Sequence, residues 1–316
     1  TALPASIVGV SLANIVITRT VSPRVLPKLD FSEGIPPECR TMVVVPALLS
    51  SDDQVDFLLR QLELHYQGNA DPEFGFALLG DYCDAPQKHQ PEDQRLLQHA
   101  KEGIRRLNRK YGGEHPSDGA EGPFYLFQRE RLWNPQEECW MGWERTRGKP
   151  VECKRLLRCE RERSYVVKMG DLEFLSQVKY VITLDADTVF PLDSGHRLVG
   201  TLAHPLNQAQ FDASGVRCEE GDQVAGGETT VASGPVAGYT VLQPRTEVKP
   251  TAVTQTWFTR IFAGDAGLDL YTRAVSDVYQ DFFGEGIYIG KGIYDVDAFE
   301  RSLRGRVPEN ALLSHD

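Results

Sequence analysis

Residues 180–190, YVITLDADTVF, decide how the rest of the chain is read. Tyr180 to Leu184 are apolar or β-branched and end abruptly in acids, the pattern of a short, fully buried strand. Asp185 and Asp187 follow, separated only by small Ala186. On an extended chain positions i and i+2 point the same way. The two carboxylates then converge at the C-terminal edge of a strand, where open α/β sheets place their ligands. Paired hard oxygens at Asp185 and Asp187 suit Mg²⁺ or Mn²⁺, with a substrate diphosphate completing the shell.

Working outward, strand and helix signals alternate. Residues 41–46, TMVVVP, predict a strand ended by Pro46. Ser51 predicts the cap of an amphipathic helix whose apolar stripe is Val55, Leu58, Leu59 and Leu62. Asp52 and Asp53 suit its N-terminal dipole, and Gly68 is its expected stop. Residues 74–79, FGFALL, predict a second strand running into Gly80 and Asp81. A long helix is expected from Glu92 to Tyr111, ended by Gly112 and Gly113. Residues 124–127 and 238–244 carry strand character, and 153–157 and 198–203 fall in helices. This order gives an α/β class with a mostly parallel sheet flanked by helices and the D-x-D at a strand end. Aromatic and apolar residues recur at helical spacing between Thr251 and Val278, and residues 212–238 read as a polar surface insert.

With 316 residues, the chain is long enough for one large α/β domain. Its 34 Lys+Arg against 45 Asp+Glu leave a net charge of −11, which argues against non-specific nucleic-acid binding. Six cysteines form no C-x-x-C pair, so free thiols in a reducing compartment are expected. Residues 2–17 are apolar but broken by Ser6, Ser11 and Asn14, too polar for a clear membrane span and without the basic start of a signal peptide. They read either as a helix at a membrane interface or as a helix packed on a domain. Arg19, Arg24 and Lys28 follow, as in a cytosolic juxtamembrane position. The chain starts at Thr1 rather than Met and reads as a piece of something larger, with a juxtamembrane segment 1–34 and a catalytic domain 35–316.

Several further positions could carry chemistry. Asp81, at the end of the second strand, could accept the imide N–H of uracil, and Asp84 is a second candidate for that place; a turn-forming Asp after Gly80 is the simpler reading. Arg147-Gly148-Lys149 puts two cations around a glycine, suited to a diphosphate at Lys149 or to plain solvent exposure. In residues 284–297, GEGIYIGKGIYDVD, glycines such as Gly290 permit close backbone approach to phosphate or sugar oxygens. Lys291 could neutralise a leaving diphosphate, and Tyr288 or Tyr294 could stack on a sugar; a Gly-rich turn with a solvated Lys is the alternative. Asp316, after an apolar run, could be a general base toward an acceptor hydroxyl.

D-x-D is the arrangement of nucleotide-sugar glycosyltransferases. A rival reading is the phosphatase signature D-x-D-x-T of the haloacid dehalogenase type, in which the first Asp is a nucleophile. Val189 stands where that signature has Thr, and residues 1–179 precede a motif that normally opens the core. A nucleotidyltransferase, or a glycosyltransferase-like module that only binds, also fits the motif alone.

Longer blocks narrow the choice. LVGTLAHPLN (198–207), GYTVLQPR (238–245), residues 260–303 and RVPENALLSHD (306–316) resemble the glycosyltransferase region of cyclic β-1,2-glucan synthases, as does WMGWERTRGKP (140–150). Residues 39–111 match at the level of the fold, and the insert 212–238 carries little of the resemblance. The resemblance implies a GT-A fold, a UDP-glucose donor, a β-1,2-glucan acceptor and product, and inversion at the anomeric carbon. It implies a parent chain at the bacterial inner membrane, with further domains and transmembrane helices, and a catalytic segment on the cytosolic face. Ser314-His315-Asp316 is similar to the T-E-D of related processive synthases, whose Asp is the acceptor base. The R-W-containing helix found downstream in such synthases lies outside this chain.

Overall fold

The computed structural model describes residues 25–112, 122–158, 164–211, 235–244 and 290–303, with scattered positions elsewhere; the side chains of Thr146 and Arg147 are not among those described. The chain divides into two units, Thr1–Pro27 with Gln243–Ile289, and Lys28–Leu242 with Gly290–Asp316. In the first, Ser6, Gly9, Leu12, Ala13, Val16, Arg19 and Thr20 are helical and exposed. The rest of residues 2–17, most of the 251–278 segment, and residues 212–234 of the expected insert lie outside the described residues.

The second unit is built on a seven-stranded sheet. Its strands are β1 (Thr41–Leu49), β2 (Phe74–Tyr82), β3 (Phe124–Arg129), β6 (Tyr165–Met169), β7 (Tyr180–Thr183), β8 (Val241–Leu242) and β9 (Gly292–Asp295). They lie in the order β6-β3-β2-β1-β7-β9-β8. The central strands β3, β2, β1 and β7 are parallel, and β6, β9 and β8 join antiparallel at the edges. A separate hairpin pairs β4 (Leu132–Asn134) with β5 (Cys139–Met141). The helices are α1 (Asp52–Gly68), α2 (Asp93–Tyr111), α3 (Arg145–Leu157), α4 (Leu172–Ser176), α5 (Ser194–Ala203) and α6 (Val296–Leu303).

Parallel strands are covered on both faces, so they are apolar throughout. Met42, Val44, Ala77, Leu79, Tyr125 and Phe127 share one face with Cys153 and Leu157 of α3. Residues of the opposite parity, such as Val43, Phe76 and Phe124, turn the other way. There the Tyr66 ring of α1 lies 5.6 Å from Phe76 and 5.1 Å from Phe124. Ser51 caps α1 as expected, its hydroxyl accepting the Gln54 N–H at 3.2 Å.

Two readings are corrected. β1 does not stop at Pro46 but continues to Leu49. Val44 O accepts the Leu184 N–H at 3.0 Å, so residues of its parity, Pro46 included, turn their backbone groups toward β7. β7 has ended by then, and the proline's missing donor faces no partner strand. The segment 284–297 is not glycine-rich loop throughout. Residues 292–295 form β9 beside β7, because Ile293 and Tyr294 are strand formers with a core to enter. The Tyr294 ring is 3% exposed and packs at 4.8 Å on Phe299, away from any sugar.

Candidate active site

The acids follow the C-terminal end of β7, while β1 beside it runs on to Leu49. Leu184 is the last residue tied to β1, and a turn follows in which the Thr188 N–H bonds Asp185 O at 3.0 Å. The α1 C-terminus pins this turn. His65 donates Nε2–H to Thr188 O at 3.0 Å, and Asn69 donates Nδ2–H to Pro191 O at 3.1 Å while accepting the Gly195 N–H at 2.8 Å. Asp185 is about half exposed, and Asp187 is exposed. The antiparallel register sets Gly292 against Thr183, which brings Lys291 beside the acids. Its Nζ lies 2.6 Å from Asp185 Oδ2. The preceding Gly290 has φ 86°, a left-handed conformation that glycine adopts without steric cost.

A second group of charges lies at the same end of β2, on the far side of β1. Asp81 is 2% exposed. Both its oxygens are held by Arg129 from β3, Nε to Oδ1 and Nη2 to Oδ2, each at 2.7 Å. Arg129 Nη1 also donates to Glu152 Oε2 at 3.3 Å, and Ser164 Oγ donates to the same carboxylate oxygen. Lys149 donates to Ala47 O at 2.9 Å and lies 3.5 Å from Asp81 Oδ2. Burial pulls the Lys149 ammonium below its usual range, and Asp81 acts in the opposite direction. Asp84, nearer solvent, accepts from Arg145 Nε at 3.1 Å.

Arg129 also organises the backbone between β5 and α3. Trp143 O accepts from its Nη1 at 3.0 Å and Arg145 O from its Nη2 at 2.9 Å. Between these carbonyls Glu144 and Arg145 take φ of 48° and 45°. Two successive side-chain-bearing residues in the left-handed region cost roughly 1–3 kcal/mol each, strain that gathers at binding sites. A Cβ on Gly148 would fall 1.8 Å from Trp143 O and 2.7 Å from Arg129 Nη1, so this R-G-K glycine is required by packing.

The structure therefore sets Lys149 beside Asp81, holds Asp84 on Arg145 and separately joins Asp185 to Lys291. Lys149 is buried rather than open to solvent. Asp316, residues 284–287 and the Arg147 side chain lie outside the described residues. Arg129 and Glu152, the centre of the buried cluster, were not singled out from the sequence. The available signal was polarity at a buried strand end: Gln128 and Arg129 close a strand whose first four positions are apolar or aromatic and fully buried. Among the described residues no group of three or more His, Cys, Asp or Glu side chains could hold a metal ion. A hard divalent cation needs only one or two carboxylates when substrate phosphates and water supply the rest. Asp185 and Asp187 are of the residue type that requirement asks for, with Lys291 paired to Asp185 in this structure.

A mostly parallel sheet flanked by helices, with short antiparallel edges, makes this a Rossmann-like α/β domain, consistent with the GT-A type. Over its whole length the chain is 42% identical to the cyclic beta-(1,2)-glucan synthase NdvB of Rhizobium meliloti (strain 1021), of which it spans 10%. Along its whole length the chain is similar to one stretch of that synthase. No protein-family model matches it. Among the described residues no helix is long and apolar enough to cross a membrane.

Proposed function

We propose that this domain transfers glucose from UDP-glucose to a growing β-1,2-glucan, with inversion at the anomeric carbon, as one part of a larger synthase at the cytosolic face of the inner membrane. The observation that carries this reading is the identity of 42% along the entire chain to a cyclic β-(1,2)-glucan synthase. The position of Asp185 and Asp187 past the end of a central parallel strand supports it.

The donor is α-linked and the product β-linked, so one in-line displacement suffices. Asp185 and Asp187 would hold Mg²⁺ or Mn²⁺ against the diphosphate, and the ion when bound would serve as Lewis acid toward the departing UDP. Lys291 can release Asp185 and turn its charge to the same phosphates. Asp316 would accept the proton of the acceptor 2-hydroxyl as the C1–O bond forms. Asp81 would select uridine. Its four lone-pair sites are not exhausted by a bidentate Arg129, but a base reaches them only if the backbone of 142–148 shifts, since a Cβ on Gly142 would already lie 2.6 Å from Asp81 Oδ2.

Calorimetry with UDP and UDP-glucose, with and without Mn²⁺ and against GDP and ADP, tests this reading. Metal-dependent, uridine-selective binding is expected, and Asp187→Ala should abolish donor turnover while leaving the unfolding transition unchanged. An Asp187→Ala enzyme that remained active and metal-dependent would sink the assignment. A phosphoryl group trapped on Asp185 would instead point to the phosphatase.

A further inference from the structure

Beside the β4–β5 hairpin lies a cavity of about 220 Å³ whose lining includes Trp133, Trp143, Asn134, Gln136, Met141 and Glu144. We infer that it is a saccharide subsite, taking one glucosyl ring of the glucan chain, with a lining that does not include Asp185 or Asp187. The inference rests on the glucosyltransferase reading for the identity of the sugar.

Size and chemistry point the same way. The cavity is smaller than the roughly 300–1,000 Å³ of clefts for drug-sized ligands, a scale that suits a single ring better than a nucleotide diphosphate. Two indoles line it, of which Trp133 offers an open face while Trp143 is buried with the Arg155 guanidinium 5.5 Å from its ring. Aromatic faces carry partial negative charge, and the C–H face of a pyranose is its complement. Trp133 is about half exposed and is propped by Trp140 in a T-shaped contact at 5.8 Å, so its ring is held in place while open to solvent. Asn134, Gln136 and Glu144 supply the polar groups that hydroxyls require. Asn134 Oδ1 accepts the Gln136 N–H at 2.9 Å and the Glu137 N–H at 3.3 Å, which fixes the amide and leaves Nδ2 as donor. No cation lines the cavity among the described residues, and Glu144 would repel a diphosphate.

The cavity is also wired to the buried charges. Trp143 forms part of its lining, and Trp143 O takes a hydrogen bond from the Arg129 that grips Asp81. The left-handed Glu144 follows directly, so the strained backbone belongs to the cavity wall. A ring bound here would press on the element that must shift for a base to reach Asp81.

The test titrates the full 316-residue chain with a β-1,2-linked gluco-oligosaccharide, read by tryptophan fluorescence and calorimetry, for the wild type and Trp133→Ala. Both proteins are titrated in parallel with UDP-glucose and Mn²⁺. The expected result is oligosaccharide binding that weakens about tenfold or more in Trp133→Ala, with donor affinity unchanged. Equal oligosaccharide binding by the two proteins, or none by the wild type, overturns the subsite. Loss of UDP-glucose binding in Trp133→Ala would overturn it in favour of a nucleotide. Absence of donor binding in both proteins counts against the glucosyltransferase reading, and the oligosaccharide arm still judges the cavity.

Discussion

Arg129 is the residue on which most of the site depends. It is 1% exposed, grips Asp81 with two hydrogen bonds, touches Glu152 and holds two carbonyls of a strained loop. Buried ion pairs contribute little net stability against an apolar replacement of the whole pair, but removing one partner strands the other. Arg129→Met should therefore cost roughly 3–5 kcal/mol in urea unfolding, because Asp81 and Glu152 are left as buried charges. Arg129→Lys keeps the charge and loses the planar fork, so an intermediate loss is expected. A loss for Arg129→Met within experimental error would mean that the cluster is hydrated. Gly148→Ala is a second residue-scale test. Its methyl would meet a main-chain oxygen that cannot swing aside, for an expected cost of about 1–3 kcal/mol. Asp81, Asp84 and Lys149 were legible as polar positions near a strand end or a glycine. That all three would be engaged by arginines or a carbonyl was not, because those partners come from positions up to 102 residues away.

Elements with strong periodicity were readable, and those defined by their neighbours were not. α1 announced itself through its Ser51 cap, apolar stripe and Gly68, and α2 through Leu96, Ala100, Ile104 and Leu107 at helical spacing before Gly112. Ser51→Ala should lower the unfolding free energy by about 1 kcal/mol, through loss of one orphan-donor partner, with the denaturant slope unchanged. An unchanged midpoint would show that water caps α1 equally well. The β4–β5 hairpin and β6 escaped notice because they are short and partly exposed. β9 escaped because the glycines before and at its start signal a turn in isolation, whereas pairing with β7 makes Gly292–Asp295 a strand. Pro46 misled for a related reason. Whether a proline breaks a strand depends on which side of the sheet its nitrogen faces, and that depends on where the neighbouring strand stops.

At the scale of the whole molecule, many buried neutral acids share one pH dependence. Burial pushes the Tyr82 hydroxyl and the Cys153 thiol up to about 12, and pushes those of Tyr125 and Tyr180 up as well. Groups with raised values hold more protons folded than unfolded. Their stabilisation is complete below the ordinary 9.0 of a thiol and 10.0 of a phenol and is lost as pH climbs toward the raised values. Lys149 works in reverse, adding stability as pH rises from its lowered value to 10.5, but it is one group against several buried phenols and thiols. The melting temperature should thus fall steadily above about pH 9–10. A melting temperature that held constant from about pH 8 to pH 11 would contradict this. The sequence by itself determined the α/β class, the order of the central elements and the position of Asp185 and Asp187, because hydrophobic period and capping act within a few residues. Only the tertiary structure decided the antiparallel edges, the meeting of Lys291 with Asp185 and the burial of Asp81 under Arg129. Those rest on contacts between residues far apart in the chain, and the desolvation that drives such pairing exists only once the sheet has assembled.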